Sequence, residues 1–224
     1  MFDIVFISYN EPNAEKNLAR LKERFPLVKH VCGVKGIHQA HITAAKRSFS
    51  PMFWVVDGDA EVLDTFNFDY KVTPEEHDIV HVWRSRNPVN GLEYGYGGVK
   101  LLPKKLTLAM DVNSTDMTTS ISSRFKAMEE VSNITAFNTD PFTTWRSAFR
   151  ECCKLAVINN EESNARLNAW CQLNKDAQYG EDAYSGALAG KQYGQENASN
   201  KEALNKINDF TWLQDLWTLG RSPQ

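Results

Sequence analysis

Between residues 2 and 57 the chain alternates short apolar runs with amphipathic stretches, a rhythm that leaves few folds open. Phe2 to Ile7 is an apolar run suited to a buried strand, stopped by SYNEPN with its turn-forming Asn and Pro. EKNLARLKERF follows, with Leu18, Leu21 and Phe25 at helical spacing and charges elsewhere. Leu27 to Cys32 reads as a second strand, GVKG opens an alanine-rich helix in IHQAHITAAKRS, and MFWVV makes a third strand. Two successive strand–helix–strand passages require crossovers, and right-handed crossovers build a parallel sheet with helices on its faces. The expectation is therefore an α/β fold, Rossmann-like, with a mostly parallel sheet flanked by helices. In such sheets ligands sit beyond the carboxyl ends of the strands, where the turns SYNE, GVKG and DGDAE would all lie.

The second half is less regular. IVHVW (79–83) reads as another strand, followed by a loop, RSRNPVNGLEYGYGG, dense in Gly, Asn, Pro and Tyr, and by a short strand in VKLLP. TTWRSAFRECCKLAVI, ESNARLNAWCQL and EDAYSGALAG read as helices, and a polar tail precedes TWLQDLW, which packs back. At 224 residues one domain is the natural reading, with a first half at 1–62, a second at 79–195 and the tail at 196–224. The start, MFDIVFISYNE, lacks the basic opening and cleavage site of a signal peptide, and no apolar run reaches the length of a membrane span. A cytoplasmic protein without a membrane partner is expected. Cys32, Cys152, Cys153 and Cys171 show no Cys-x-x-Cys spacing, so reduced thiols are expected rather than a disulfide framework or a zinc site. The net charge of -3 gives no global attraction to nucleic acid. Locally, Arg84, Arg86, Lys100, Lys104 and Lys105 stand against Glu93 alone, which suits either an anionic ligand or a solvated loop.

FWVVDGD sets two carboxylates, Asp57 and Asp59, at the end of a strand with a glycine between them. Such a pair can converge on one divalent cation, with Gly58 letting the backbone turn tightly. Mg2+ or Mn2+ favours oxygen ligands of this kind and keeps positions open for water or substrate phosphates. The plain alternative is a solvated acidic turn, and the βαβαβ setting favours the metal.

This arrangement resembles the GT-A glycosyltransferases, and most closely their family-2-like members. The matching features, in order, are Ser8-Tyr9-Asn10-Glu11 after the first strand, GIHQAHITAAKRS as the small-residue helix, the Asp-x-Asp of FWVVDGD, and Gly180-Glu181-Asp182-Ala183 ahead of a helix with Gly190. The resemblance covers residues 2–62 and 95–195, and implies a metal-dependent enzyme moving a sugar from a nucleotide-sugar, a UDP-sugar by preference, to an acceptor hydroxyl. Residues 1–62 would bind the donor through Tyr9, Asn10, Glu11, Lys35, His41, Asp57, Gly58 and Asp59. Lys35 and His41 would reach the base or the phosphates, and Asp57 and Asp59 would hold the metal. Asp182, or Glu181, would be the general base. The third metal ligand of many GT-A enzymes, often a late histidine, has no counterpart after His81, which leaves an acid such as Asp209, or water.

Trp83, Arg84, Tyr94, Tyr96, Gly97, Gly98, Lys100 and Arg146 are the expected acceptor side, where aromatic faces stack on sugars or bases and basic groups meet phosphate. Arg146 and Arg150 would form one exposed basic stripe. FISYNEPNAEKN and NPVNGLEYGYGGVKL also resemble glycosyltransferases encoded by tailed bacteriophages, which implies double-stranded DNA carrying 5-hydroxymethylcytosine as acceptor, with a flipped base reaching the site. The alternatives are a glycan or small-molecule acceptor, a sugar-phosphate nucleotidyltransferase (though SYNEPNAEKN lacks the glycine-rich phosphate loop), a haloacid-dehalogenase-type phosphotransferase (though Glu61 stands where Thr or Val is common), and a non-catalytic nucleotide-binding protein.

Overall fold

The computed structural model describes residues 1–95, 97–114 and 117–221, with the side chain of residue 221 set aside. Two compact units emerge: residues 1–87 with 93–136, and residues 88–92 with 137–224.

The first unit is built on an eight-stranded sheet. β1 (Asp3–Ser8), α1 (Ala14–Arg24), β2 (Lys29–Cys32), α2 (Ile37–Arg47) and β3 (Met52–Asp57) follow the rhythm of the sequence closely. β4 (Ala60–Val62), β5 (Val80–Arg86), β6 (Glu93–Tyr94), β7 (Val99–Pro103), α3 (Lys104–Leu108), α4 (Met117–Ile121) and β8 (Phe125–Thr135) complete it. The strand order is β2-β1-β3-β7-β5-β8-β4, with β6 paired to β5 off this path.

The sheet is mixed, and the expected mostly parallel sheet is corrected here. β1 pairs in parallel with β2 and β3, and β5 with β8, whereas β7 is antiparallel to both β3 and β5. The physical reason is the connection. A parallel neighbour needs a crossover of a dozen or more residues, usually helical, as α1 and α2 supply. Between β5 and β7 the chain has only the loop and the two-residue β6, so β7 returns antiparallel.

Both faces of the sheet are covered, which explains the continuous apolar runs. Along β3, Met52, Trp54 and Val56 enter one core with Ile4, Phe6, Leu21, Phe66 and Phe68, while Phe53 and Val55 enter the other with Val5, Ala44, Ala45 and Leu102. Both layers are made almost entirely of buried side chains, so the carboxyl edge of β1 and β3 is held on a rigid base.

The second unit is helical: α5 (Pro141–Ile158), α6 (Glu161–Trp170), α7 (Gly180–Glu196), α8 (Lys201–Asn205) and α9 (Phe210–Arg221). Asp140 caps α5 by accepting from the Thr143 N–H at 2.8 Å, with Pro141 at the first helical position. The stretch read as a polar tail forms the end of α7, α8 and a short 3-10 turn. α9 then packs Leu213, Leu216 and Trp217 with Trp145 and Phe149 of α5.

Candidate functional site

The register of β1 against β3 pairs Ile7 with Asp57, so Ser8 and Asp57 leave the sheet side by side. The loops that follow β1, β2 and β3 enclose a cleft of about 410 Å³ on this edge, with Tyr9, Glu11, Lys35, His41, Asp57 and Asp59 in its lining. Six expected donor-site residues, from the segments after β1 and β2, from α2 and from the end of β3, thus share one cavity. Tyr9 and Lys35 are exposed there, and Asn10 is exposed on the same turn as Tyr9.

Gly58 is fixed by what lies on it. A Cβ at this position would stand 2.7 Å from Glu11 Oε2, so the absent side chain is what lets the Glu11 carboxylate settle on the Asp57–Asp59 turn. Glu11 Oε2 also accepts from the Tyr9 N–H at 2.7 Å. The buried Asn17 of α1 donates from Nδ2 to the Gly58 carbonyl at 3.0 Å, and the Asp57 N–H donates to the Gly98 carbonyl at 2.9 Å. The turn is therefore held from α1 on one side and from the start of β7 on the other.

Three carboxylates, Glu11, Asp57 and Asp59, gather here with one nearby ammonium. Lys100, its side chain 5% exposed, donates from Nζ to Asp57 Oδ2 at 2.7 Å and also to the Gly97 carbonyl. Among the described residues no ion pair involves Asp59. Burial first, then the charges of Asp57 and Glu11, push its carboxyl up to about 6, with Lys100 offsetting only part of this. His41 is 2% exposed on α2, and its Nδ1 lies 2.8 Å from the Ile37 carbonyl. Burial and then the Lys100 ammonium lower it to about 4, so the ring is neutral at pH 7.

Among the described residues no group of three or more His, Cys, Asp or Glu side chains is placed to hold a metal ion. An open site is a different matter. Mg2+ and Mn2+ need only one or two carboxylates when water and substrate phosphates complete the octahedron. Asp59 and the Asp57 oxygen not bonded to Lys100 are the ligands the chain would offer to such an ion. Asp209, offered by the sequence as a further ligand, instead caps α9, accepting from the Thr211 and Trp212 N–H groups at 3.0 and 3.1 Å.

The expected acceptor side is dispersed. Trp83 is 1% exposed, packed in the core with its ring centre 4.6 Å from that of Trp54 and tilted against it, and its indole N–H is donated to Glu130 at 3.3 Å, so no face of the ring is open to a ligand. Tyr94 is 6% exposed, and Gly98 lies under Asn133, whose Nδ2 would be 2.7 Å from a Cβ at 98. Lys100 serves Asp57 rather than solvent. Arg84 is exposed, Gly97 is half-buried with φ at 74°, and Tyr96 lies outside the described residues. Arg146 and Arg150 do not form a bare stripe, because Phe210 covers both, at 4.2 and 5.4 Å from its ring centre. Glu181 and Asp182 lie in the first turn of α7, in the helical unit, with Glu181 exposed and Asp182 8% exposed.

Sequence reasoning missed Asn17, the true role of Lys100, and a buried polar knot in which Ser85 and Ser132 donate to Asn133 Oδ1 at 2.9 and 2.8 Å. A polar residue on the apolar face of α1 was the one visible signal, and Asn17 carried it.

No protein-family model matches the chain, and no curated protein matches it. Among solved structures, the chain is similar to a mannosyltransferase, PcManGT from Pyrobaculum calidifontis, determined in complex with GDP-Man and Mn2+, at 13% identity and TM-score 0.46 over 98% of this chain and 79% of that one. It is also similar to HddC from Yersinia pseudotuberculosis, at 14% identity and TM-score 0.37 over 57% of this chain and 90% of that one.

Proposed function

We propose that the chain is a metal-dependent glycosyltransferase that takes a nucleotide-sugar in the β1–β3 cleft and passes the sugar to an acceptor hydroxyl. The observation that carries this reading is that Glu11, Asp57 and Asp59 line one cleft together with an exposed tyrosine and an exposed lysine, while Lys100 is bonded to Asp57. Excess negative charge at a strand edge is what a cation bound with a diphosphate would neutralise. Tyr9 offers a ring face to the base, Lys35 a charge to the phosphates, and Asp59 with Asp57 would hold the ion. Once bound, the ion would stabilise negative charge on the leaving diphosphate. The acceptor oxygen attacks the sugar's anomeric carbon, the bond from that carbon to the diphosphate breaks, and the hydroxyl proton passes to a general base.

For the acceptor, DNA carrying 5-hydroxymethylcytosine is the first to be tried, on the strength of the resemblance. The folded chain lends it little charge, since Lys100, Arg86 and Lys104 are engaged with Asp57, Glu93 and the Ser48 carbonyl. Calorimetric titration of UDP with Mn2+, repeated with EDTA and on Asp57→Ala/Asp59→Ala, tests the donor site. Metal-dependent binding that disappears in the double variant is expected. Binding that ignores both EDTA and the substitutions would sink the metal site.

A further inference from the structure

Among the described residues lining the cleft, His41 holds a buried polar atom, Nε2, that has no hydrogen-bond partner. Its other nitrogen decides what Nε2 can do. Nδ1 sits 2.8 Å from the Ile37 carbonyl, and a carbonyl oxygen only accepts, so the ring hydrogen is on Nδ1. In a neutral ring this leaves Nε2 with a bare lone pair. Burial first and then the charge of Lys100 disfavour the imidazolium, and the Asp57 carboxylate offsets only part of this. Nδ1 is anchored one turn back on its own helix.

We infer that His41 Nε2 is a specificity-determining hydrogen-bond acceptor for a neutral O–H or N–H of the donor nucleotide, and that it keeps phosphate away from this part of the cleft. The inference rests on reading the cleft as a nucleotide site and refines it, since the sequence alone left His41 facing either base or phosphate. A phosphate oxygen at physiological pH brings only lone pairs, and two facing acceptors repel. A ribose hydroxyl or a base N–H brings the missing hydrogen. Both sources share that chemistry, and analogues separate them.

The test uses the full chain with Mn2+, titrated with UDP, 2′-deoxy-UDP, 3′-deoxy-UDP and N3-methyl-UDP, and with GDP and its 2′-deoxy, 3′-deoxy and N1-methyl counterparts. His41→Phe keeps a ring and removes the acceptor. The expected result is a loss of roughly ten- to hundredfold in affinity for the parent nucleotide, as for an unpaired buried hydrogen-bonding group. One analogue should show the same loss on the unaltered protein and no further loss on His41→Phe, and which analogue does so identifies ribose or base. Nitrogen NMR of the unaltered protein gives a readout that does not depend on the variant folding. The His41 Nε2 resonance should be that of an unprotonated nitrogen in the free protein and should move on saturation with the parent, while Nδ1 stays protonated. An Nε2 resonance unmoved at saturation, binding by His41→Phe within about twofold of the unaltered protein, or a loss that is equal for every analogue on both proteins would each overturn the assignment while leaving the nucleotide site standing. Failure of the unaltered protein to bind either UDP or GDP would overturn both.

Discussion

Asp59 is a residue the fold tolerates rather than welcomes. Its carboxyl is raised to about 6 from an ordinary value near 3.8, so the folded state holds its proton more tightly than the unfolded chain. Between those two values folding takes up protons, and stability falls as pH rises through the window. Above about pH 6 the metal-free protein carries the full penalty. Replacing Asp59 by Asn removes the buried charge and keeps the shape. We expect Asp59→Asn to unfold at a higher temperature than the parent at pH 7.5 without metal, by about 1–2 kcal/mol after allowance for partial exposure, and to lose metal-dependent nucleotide binding. The two proteins should converge in stability near pH 4. Thermal melts at both pH values check this, and an Asp59→Asn that melts lower at neutral pH would mean the carboxylate is already well compensated. What could be read of this site in advance was chain-local: Asp57, Gly58 and Asp59 are neighbours, and Tyr9 and Glu11 follow a strand directly. Asn17, and the pairing of Lys100 with Asp57 in place of the expected acceptor role, were not legible because each acts on the turn from another element, 41 and 43 residues away in sequence.

Among the elements, α7 shows what its glycines are for. Gly186, Gly190 and Gly194 recur every fourth residue and line one face of the helix. A Cβ at these positions would stand 2.3, 2.1 and 2.5 Å from the carbonyl oxygens of Trp145, Phe149 and Cys153, themselves four residues apart on α5. The two helices therefore meet backbone to backbone, and no rotamer change relieves a methyl group placed there. Gly190→Ala should lose on the order of 2–3 kcal/mol, as overpacking of a tight contact does, even though alanine is the better helix former. Chemical denaturation of Gly190→Ala beside Gly220→Ala, where no atom lies within 4 Å, separates packing from propensity. Equal stability of the two variants would show that α5 and α7 can part without loss. The sequence displayed this helix through its alanine and glycine content but gave no partner for the stripe. β8 was missed for a different reason. Its pairing with β5 slips twice, with Trp83 opposite Met128 but Arg84 opposite Val131 and Ser85 opposite Asn133. Each slip breaks the alternation of faces, so FKAMEEVSNIT shows no period of two to read.

Over the whole molecule, topology and charge were unequally legible. The parallel half of the sheet followed from two helical crossovers visible in the sequence, whereas the antiparallel entry of β7 depended on a loop whose path no periodicity encodes. Charge bears on the acceptor. The net value is -3, and most of the basic residues between 81 and 105 are engaged within the chain, leaving Arg84 and Lys105 exposed without such an engagement. A protein that neutralises several phosphates loses roughly 10³–10⁵ in affinity between about 50 and 200 mM salt. If Arg84 and Lys105 are the cations of that stretch that meet the phosphates, its contribution to the slope of log K against log salt should be only about −1 to −2, by the same counterion-release relation. If duplex DNA is the acceptor, recognition must then come from the flipped base and its hydroxyl. A duplex with 5-hydroxymethylcytosine should outcompete one with plain cytosine, and its advantage should survive the rise in salt. Gel-shift titrations of both duplexes across that range decide the matter. Equal binding of the two, collapsing together as salt rises, would show backbone attraction without base recognition, and would turn the search for the acceptor hydroxyl to glycans and small molecules.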